Sequence, residues 1–590
     1  MALPSFSGTL GSKRAAHLLH RASFGPTKEL IDSFSTLTAN QAVTQLFQQP
    51  LPDPILPIDS ATNKEWFLSG INPTSKGNFQ DYFKGWFLAQ MLSQGIAPGQ
   101  SLAYITREKI VFFIHTVLTT IQSKVDDSRS LYFQNQLFRL FAFDKTAGPK
   151  VNFKELAKKV CVDNAMLKVL DGYLNVNGNP QENFARELHE LYTIGRGLDG
   201  IKYPSTGQGD YFFYQEKDVQ EAAKVLSGWE MSIESSSVIN SQFQNLDPDT
   251  LLPRGKVKGG KTNASSHDNS TKTFSSRFAN KQIKPDPLLA TGGNATEASA
   301  LDEISQLIEQ IYASPETARG ICRKIYRFYV YHAIDQLLDD SIIAGMANTF
   351  TSNGFKLQPV LEELFQSQHF YDAAPGVNDD SFGGIIKSPL DLVLGTVRLF
   401  DIQLPDYITS ANDFYAKTDG LLRSLSSMGM NFYDPSDVAG YDAYHQYPIY
   451  HRSWISTNYL AERYKFINEY VSENQPVVGA LKIDPVNFVK TKFSPAIATN
   501  AKSLIIELAK YLLPLNENLT YTTGADANAG LTAARMNYFL TAFIKTPLID
   551  TDPEASWTDR WATGRDPETV QNQLQGLFNA MMQSPEYQLY

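Results

Sequence analysis

The chain has 590 residues, enough for about four domains at roughly 150 residues each, or for one large helical domain. It is 42% hydrophobic, 19% charged and 12% aromatic, with 28 Tyr and 36 Phe, a composition that excludes a disordered, collagenous or coiled-coil chain. Fifty-two Lys and Arg against 62 Asp and Glu leave a net charge of −10, so no global positive field would gather a phosphate backbone and nucleic acid is not an expected partner.

Helical signals begin with the basic amphipathic stretch at residues 14–21, which halts at Phe24-Gly25-Pro26-Thr27; Thr27 can then cap a second helix from Lys28. Residues 102–119 are mostly apolar and longer than a typical strand, which predicts a buried helix interrupted only by His115. Residues 151–174 and 182–194 carry helical periodicity on either side of an Asn/Gly/Pro turn. A helix over 216–226 ends at Ser227-Gly228-Trp229 with Gly228 near its C-cap.

From about 231 to 300 the pattern turns to Ser, Asn, Gly, Lys and Pro, predicting a long excursion of short strands and irregular loops. Its bases, Arg254, Lys256, Lys258, Lys261, Lys272, Arg277, Lys281 and Lys284, read first as a solvated loop and second as an anion site. Helices resume with Leu301, Ile304, Leu307, Ile308 and Ile311 on one face, and Ser314-Pro315-Glu316 marks the start of another. Further helices fall at 361–366, 389–400, 454–466, 533–544 and 567–582, around a second irregular stretch at 431–453 rich in Tyr, Asp, Gly and Pro.

Cys161 and Cys322 are too few for a disulfide framework or a thiolate zinc site and allow at most one long-range disulfide. The first 19 residues lack a signal-peptide apolar core, and no run of about 18 apolar residues occurs. The expected location is therefore cytoplasmic, or outside the cell with a signal-bearing partner, and no membrane span is expected.

Placed at about 100° per residue, Glu182, Asn183, Arg186, Glu187, His189 and Glu190 share one arc of their helix, opposite Phe184, Ala185, Leu188, Leu191 and Tyr192. Glu182, Arg186 and Glu190 form an i, i+4, i+8 ladder in which the arginine can bridge two carboxylates. A solvated ion-pair face is the first reading; facing a cleft, the same arc would present carboxylates and an imidazole for acid–base work or for holding a cation. His115 reads as a neutral core imidazole hydrogen-bonded to a neighbouring segment, with metal ligation as its rival. In the pair His267-Asp268, the carboxylate can accept from the imidazole or cap the following turn. No nucleophile elbow, phosphate-binding glycine loop, dinucleotide fingerprint, HExxH helix or EF-hand loop occurs.

Several segments in this order resemble the bacterial family of domain of unknown function 1800: AAHLLHRASFGPT from Ala15, REKIVFFIH from Arg107, PQENFARELHELYTIGRG from Pro180, EKDVQEAAKVLSGW from Glu216, HDNSTKTF from His267, IKSPLDLVLGTVR from Ile386 and MGMNFYDPSDVAGY from Met428. The YHQYP stretch from Tyr444 is similar to the form found in Bacteroidetes. The resemblance implies a mainly α protein and a partner from the family of domain of unknown function 1501, which resembles sulfatases and phosphatases. The chain departs from the family pattern where His115 is followed by Thr116 and Val117 in place of a second histidine, and at His189, Met430 and Tyr441.

The sequence therefore predicts a mainly α, large multi-helical protein with an N-terminal helical region (1–230), a polar excursion (231–300) and a C-terminal helical region (301–590) packed on the first. Its first functional reading is a helical binding or assembly protein, partner of a sulfatase- or phosphatase-like protein or a cell-envelope component. The alternatives are a metal-assisted hydrolase holding one divalent ion, and a cell-surface carbohydrate binder using the tyrosines of 431–453. Glu187, Glu190, His267 and Asp268 are the catalytic candidates, and Glu182, Arg186, Lys272 and His115 the binding candidates.

Overall fold

The computed structural model describes residues 3–67, 76–232, 245–371, 384–472, 481–527, 529–544 and 551–590, with only the backbone given for 76–80. Helices carry the fold, as expected, and the described strands form two antiparallel two-stranded pairs: Trp229–Glu230 with Lys256–Val257, and Lys272–Thr273 with Gln282–Ile283. Both pairs bracket or lie within the polar excursion. Among the described residues no helix is long and apolar enough to cross a membrane.

Helix ends follow local chemistry. Thr27 accepts from the Leu30 amide to start the helix Lys28–Ser35, as its sequence predicts, while Ser314 stands before Pro315–Tyr329 without making a side-chain cap. The long segment predicted over 151–174 is broken: Phe153–Val160 ends, and Asp163 caps a new helix, Asn164–Val169, by accepting from the Met166 amide. A carboxylate in an apolar run competes for backbone donors, and here that competition outweighs continuous periodicity.

The helix Pro98–Val117 runs through the core, buried on nearly every side from Ala103 onward. Its three consecutive charges are each matched from another element or neighbour. Glu108 takes Arg139 Nη2 at 2.5 Å and Arg107 Nε at 3.1 Å, and Lys109 pairs with Asp391. Asp391 also accepts from Tyr590 Oη at 2.9 Å and Ser388 Oγ at 2.7 Å, so the N-terminus of the helix Pro389–Leu399 is tied to the last residue of the chain. Arg21 donates to the Tyr590 carbonyl at 2.7 Å and the Val330 carbonyl at 2.6 Å, binding the first helix, Gly11–Ala22, to the same place.

One hydrophobic cluster extends from Leu3 to Tyr587 and takes Val257, Phe274 and Ile283 from the excursion. The turn after the first helix lies against Pro389–Leu399 so closely that a Cβ on Gly25 (φ +96°) would sit 2.7 Å from the Gly395 Cα. Cys161 and Cys322 are both buried free thiols, so the long-range disulfide allowed by the sequence is not formed.

Candidate functional site

The polar helix expected from residue 182 is an α-helix only over Asn183–Glu187 and continues as a π-helical turn, Leu188–Tyr192. Such a turn lengthens the hydrogen-bonded loop by one residue and re-aims the side chains that follow. His189 consequently leaves the polar arc. Its ring is fully buried, Nδ1 donates to the Ala185 carbonyl at 2.8 Å, and burial lowers its pKa. The arginine ladder also differs from the expected one: Arg186 bridges Glu182 (3.2 Å) and Glu216 (2.5 Å), and Tyr211 Oη donates to Glu216 at 2.8 Å. Glu190 instead accepts from Arg196 and, at 3.3 Å, from Tyr214 Oη.

Glu187 is left half-buried, and among the described residues its carboxyl has no hydrogen-bond or ion-pair partner. Burial first, then the negative charges of Glu190 and Asp437, raises its pKa to about 7. Asp437 belongs to the irregular 431–453 stretch, which thus reaches the π turn. Tyr192 lies between them electrostatically: its hydroxyl is buried without a partner, and burial, Glu187 and Asp437 all raise its pKa.

Cations close the other side. Lys324 donates to the Leu191 carbonyl, and burial, with a smaller contribution from Arg327, brings its pKa down to about 7. Arg327 pairs with Asp199 at 2.5 Å, and Asp199 also accepts from Tyr450 Oη at 2.5 Å. Beside Tyr450, the Ile386 amide donates to His451 Nδ1 at 3.0 Å, which leaves the hydrogen on Nε2 to be given to His332 Nδ1 at 2.7 Å. Burial lowers these imidazoles to about 3 and about 4, so both are neutral at pH 7. Glu187 and Glu190 therefore face the charge of Asp437 where residues 187–200 meet 431–453, and this polar seam continues through Lys324, Arg327, Asp199 and Tyr450 to the histidine pair.

His267 and Asp268 lie in a separate network. His267 Nδ1 donates to the Ser227 carbonyl at 2.9 Å, and Nε2 stands 3.3 Å from Glu303 Oε1, off the line of a hydrogen bond. Lys272 pairs with Glu303 and donates to the Asp268 carbonyl; His267, Lys272 and Glu303 are all fully buried side chains. Asp268 caps a turn by accepting from Ser270 N (2.8 Å) and Oγ (2.5 Å) and does not engage the imidazole. Gly228 (φ +84°) permits the contact, because a Cβ there would meet His267 N at 2.6 Å. Among the described residues no hydrogen bond or ion pair joins Glu187 or Glu190 to His267 or Asp268. The reading of the excursion as solvated also needs correction at Lys272 and Arg254, which are turned inward onto Glu303 and Glu297, whereas Arg277 pairs with Asp210 and stays partly exposed.

His115 is a core histidine as expected, but without the expected hydrogen bond. It stacks on Tyr433 (centroids 3.8 Å apart, planes 13° apart), both ring nitrogens are unpaired, and burial lowers its pKa to about 3. Tyr433, Tyr441 and Tyr450 are buried too, so of the tyrosines at 431–453 only Tyr447 presents a strongly exposed ring. Among the described residues no three His, Cys, Asp or Glu side chains are grouped to hold a metal ion.

The family model described as a protein of unknown function (DUF1800) matches residues 17–589. The chain belongs to the DUF1800 family. Both walls of the seam fall within the part of the chain that defines membership in DUF1800. No curated protein and no solved structure matches the chain. Asp437, Lys324, His332 and His451 were not singled out by sequence reasoning; the available signals were Asp437's place in the MGMNFYDPSDVAGY segment and two of the three Tyr-His pairs, Tyr331-His332 and Tyr450-His451.

Proposed function

We propose that the seam is a proton-transfer site with Glu187 as general acid–base, and that the protein is an enzyme of the hydrolase type acting on a polar substrate. The observation that carries this reading is Glu187 itself: half-buried, unpartnered and held at a pKa of about 7, where a carboxyl can both take and give a proton near neutrality. Glu190, which accepts from Arg196 and Tyr214, stands one helical turn away, and the π turn positions the two carboxyls. His267 and Asp268 take no part; their network holds the excursion to the helix Glu297–Tyr312.

Infrared difference spectra of wild type and Glu187→Gln should assign one protonated carboxyl at pH 6 that titrates near pH 7. A panel of chromogenic esters, glycosides, phosphates and sulfates should show at least one turnover that falls about 10²- to 10⁴-fold in the variant, the range typical of a lost acid–base group. A carboxyl titrating near 4.5, or turnover unchanged in the variant, refutes the reading.

A second reading, docking of a sulfatase- or phosphatase-like protein partner, is favoured by the excursion's exposed leucines, Leu246, Leu251 and Leu288, the last 91% exposed. Co-purification of a stoichiometric partner that is lost on changing all three to serine tests it.

A further inference from the structure

A groove of about 480 Å³ opens between the start of the helix Lys28–Ser35, residues 92–102, and the end of Pro389–Leu399 with the turn after it. Its volume lies in the range of small-molecule sites. Leu30, Leu92, Ile96, Leu102 and Ile402 line it and are each partly exposed, so apolar surface is already assembled there.

One cation stands over this floor. Arg398 Nε donates to the Gly25 carbonyl at 2.6 Å, at the corner fixed by the Gly25–Gly395 approach, so the guanidinium plane is set before any ligand arrives. Among the described residues its two Nη groups have neither a hydrogen-bond nor an ion-pair partner, and burial brings the group down to about 10. Of the carboxylates of the groove, Glu29 pairs with Lys492 at 2.6 Å, while Asp401 accepts from the Gln403 amide at 2.8 Å and its charge partly offsets the effect of burial on Arg398 without a hydrogen bond or ion pair to it. The helix Pro98–Val117 also begins in the groove, and Ala97 gives it no side-chain cap, so its positive end adds to the field of Arg398.

We propose that the groove binds a small carboxylate with an apolar body, its two oxygens forked on the Nη groups of Arg398 and its body on the leucine and isoleucine floor. A desolvated guanidinium with two free donors favours a planar anion over a neutral or cationic head, and the floor rewards hydrocarbon attached to it. The site is independent of the seam and of its chemistry.

Calorimetric titration with hexanoate, 1-hexanol, hexylamine and inorganic phosphate tests this on the full chain. Hexanoate should bind at one site, with hexanol, hexylamine and phosphate each at least about tenfold weaker, a difference of about 1.4 kcal/mol. Arg398→Met should lose hexanoate binding. Because that change also frees the Gly25 carbonyl, Leu102→Trp, which fills the groove from the opposite wall, should lose it too while keeping the thermal midpoint. Equal binding of hexanol would remove the role of Arg398, and phosphate binding as tight as hexanoate would remove the apolar body. No heat with hexanoate, or binding that survives both variants, overturns the site.

Discussion

His115 shows what a single buried polar group does when its surroundings are apolar. A core imidazole ordinarily finds a partner, and an unpaired buried donor or acceptor costs about 1–3 kcal/mol. Here both nitrogens lack a hydrogen-bond partner, and the ring instead stacks on Tyr433. With a folded pKa of about 3 against 6.5 unfolded, the unfolded chain takes up the proton first, so stability is lost as pH falls from 6.5 toward 3. His115→Phe retains a ring against Tyr433 and removes that linkage. Urea denaturation should show the variant's advantage over wild type to be about 2 kcal/mol larger at pH 5 than at pH 8; an equal difference at both would mean that the ring is solvated or paired. The sequence indicated that His115 is interior, since apolar neighbours flank it on every helical face. It could not indicate the missing partner, because Tyr433 arrives from more than 300 residues away.

At the scale of elements, helix positions were legible where capping and periodicity agreed, as for Ala533–Ile544 and Pro567–Met582, whose bounds are those predicted. They were illegible where tertiary contacts override an i→i+4 ladder. The π turn at Leu188–Tyr192 is such a place: Lys324 on the Leu191 carbonyl and Thr193 Oγ1 on the Leu188 carbonyl use acceptors that an α-helix would engage otherwise. This is why Glu187 and Glu190 were legible as candidates whereas the partners of Glu190, Arg196 and Tyr214, were not. The apolar character of Pro98–Val117 also concealed its charges. Glu108 is fully buried with Arg139 from the helix Ser128–Ala142, so the pair fixes how two core helices meet. Removing one member strands the other. Glu108→Ala should cost about 3–5 kcal/mol, whereas Glu108→Leu with Arg139→Met should recover most of that loss, since well-packed apolar pairs often replace buried ion pairs without penalty. Denaturation midpoints of the two variants decide it: equal loss in both would show that the pair contributes net stability rather than mutual neutralisation.

Across the whole molecule, burial acts on histidines as a class. Of the 9 in the chain, seven, His17, His20, His115, His189, His332, His445 and His451, have lowered pKa values, with burial the largest cause for each. They come from both ends and the middle of the sequence and are brought inside by one continuous core. Each takes up a proton less readily in the fold than in the unfolded chain, so each withdraws stability as pH falls below 6.5. Among the described residues five carboxyls act in the opposite sense, all chiefly through burial: Asp144, Asp163 and Glu187, raised to about 7, and Glu316 and Glu469, also raised, bind protons more tightly in the fold than in the unfolded chain. Between pH 6.5 and 4.5 the histidines outnumber them, the unfolded state binds more protons, and stability must rise with pH. Stability should therefore fall from pH 7 to pH 5, one proton bound differentially changing it by about 1.4 kcal/mol per pH unit. Urea midpoints measured at pH 5 and pH 7 should therefore fall together with acidification for helical and tertiary probes, because the histidines belong to one core. A midpoint at pH 5 equal to or above that at pH 7 would show that the imidazoles are reached by water in the folded state, and with it that the core is open where the structure closes it.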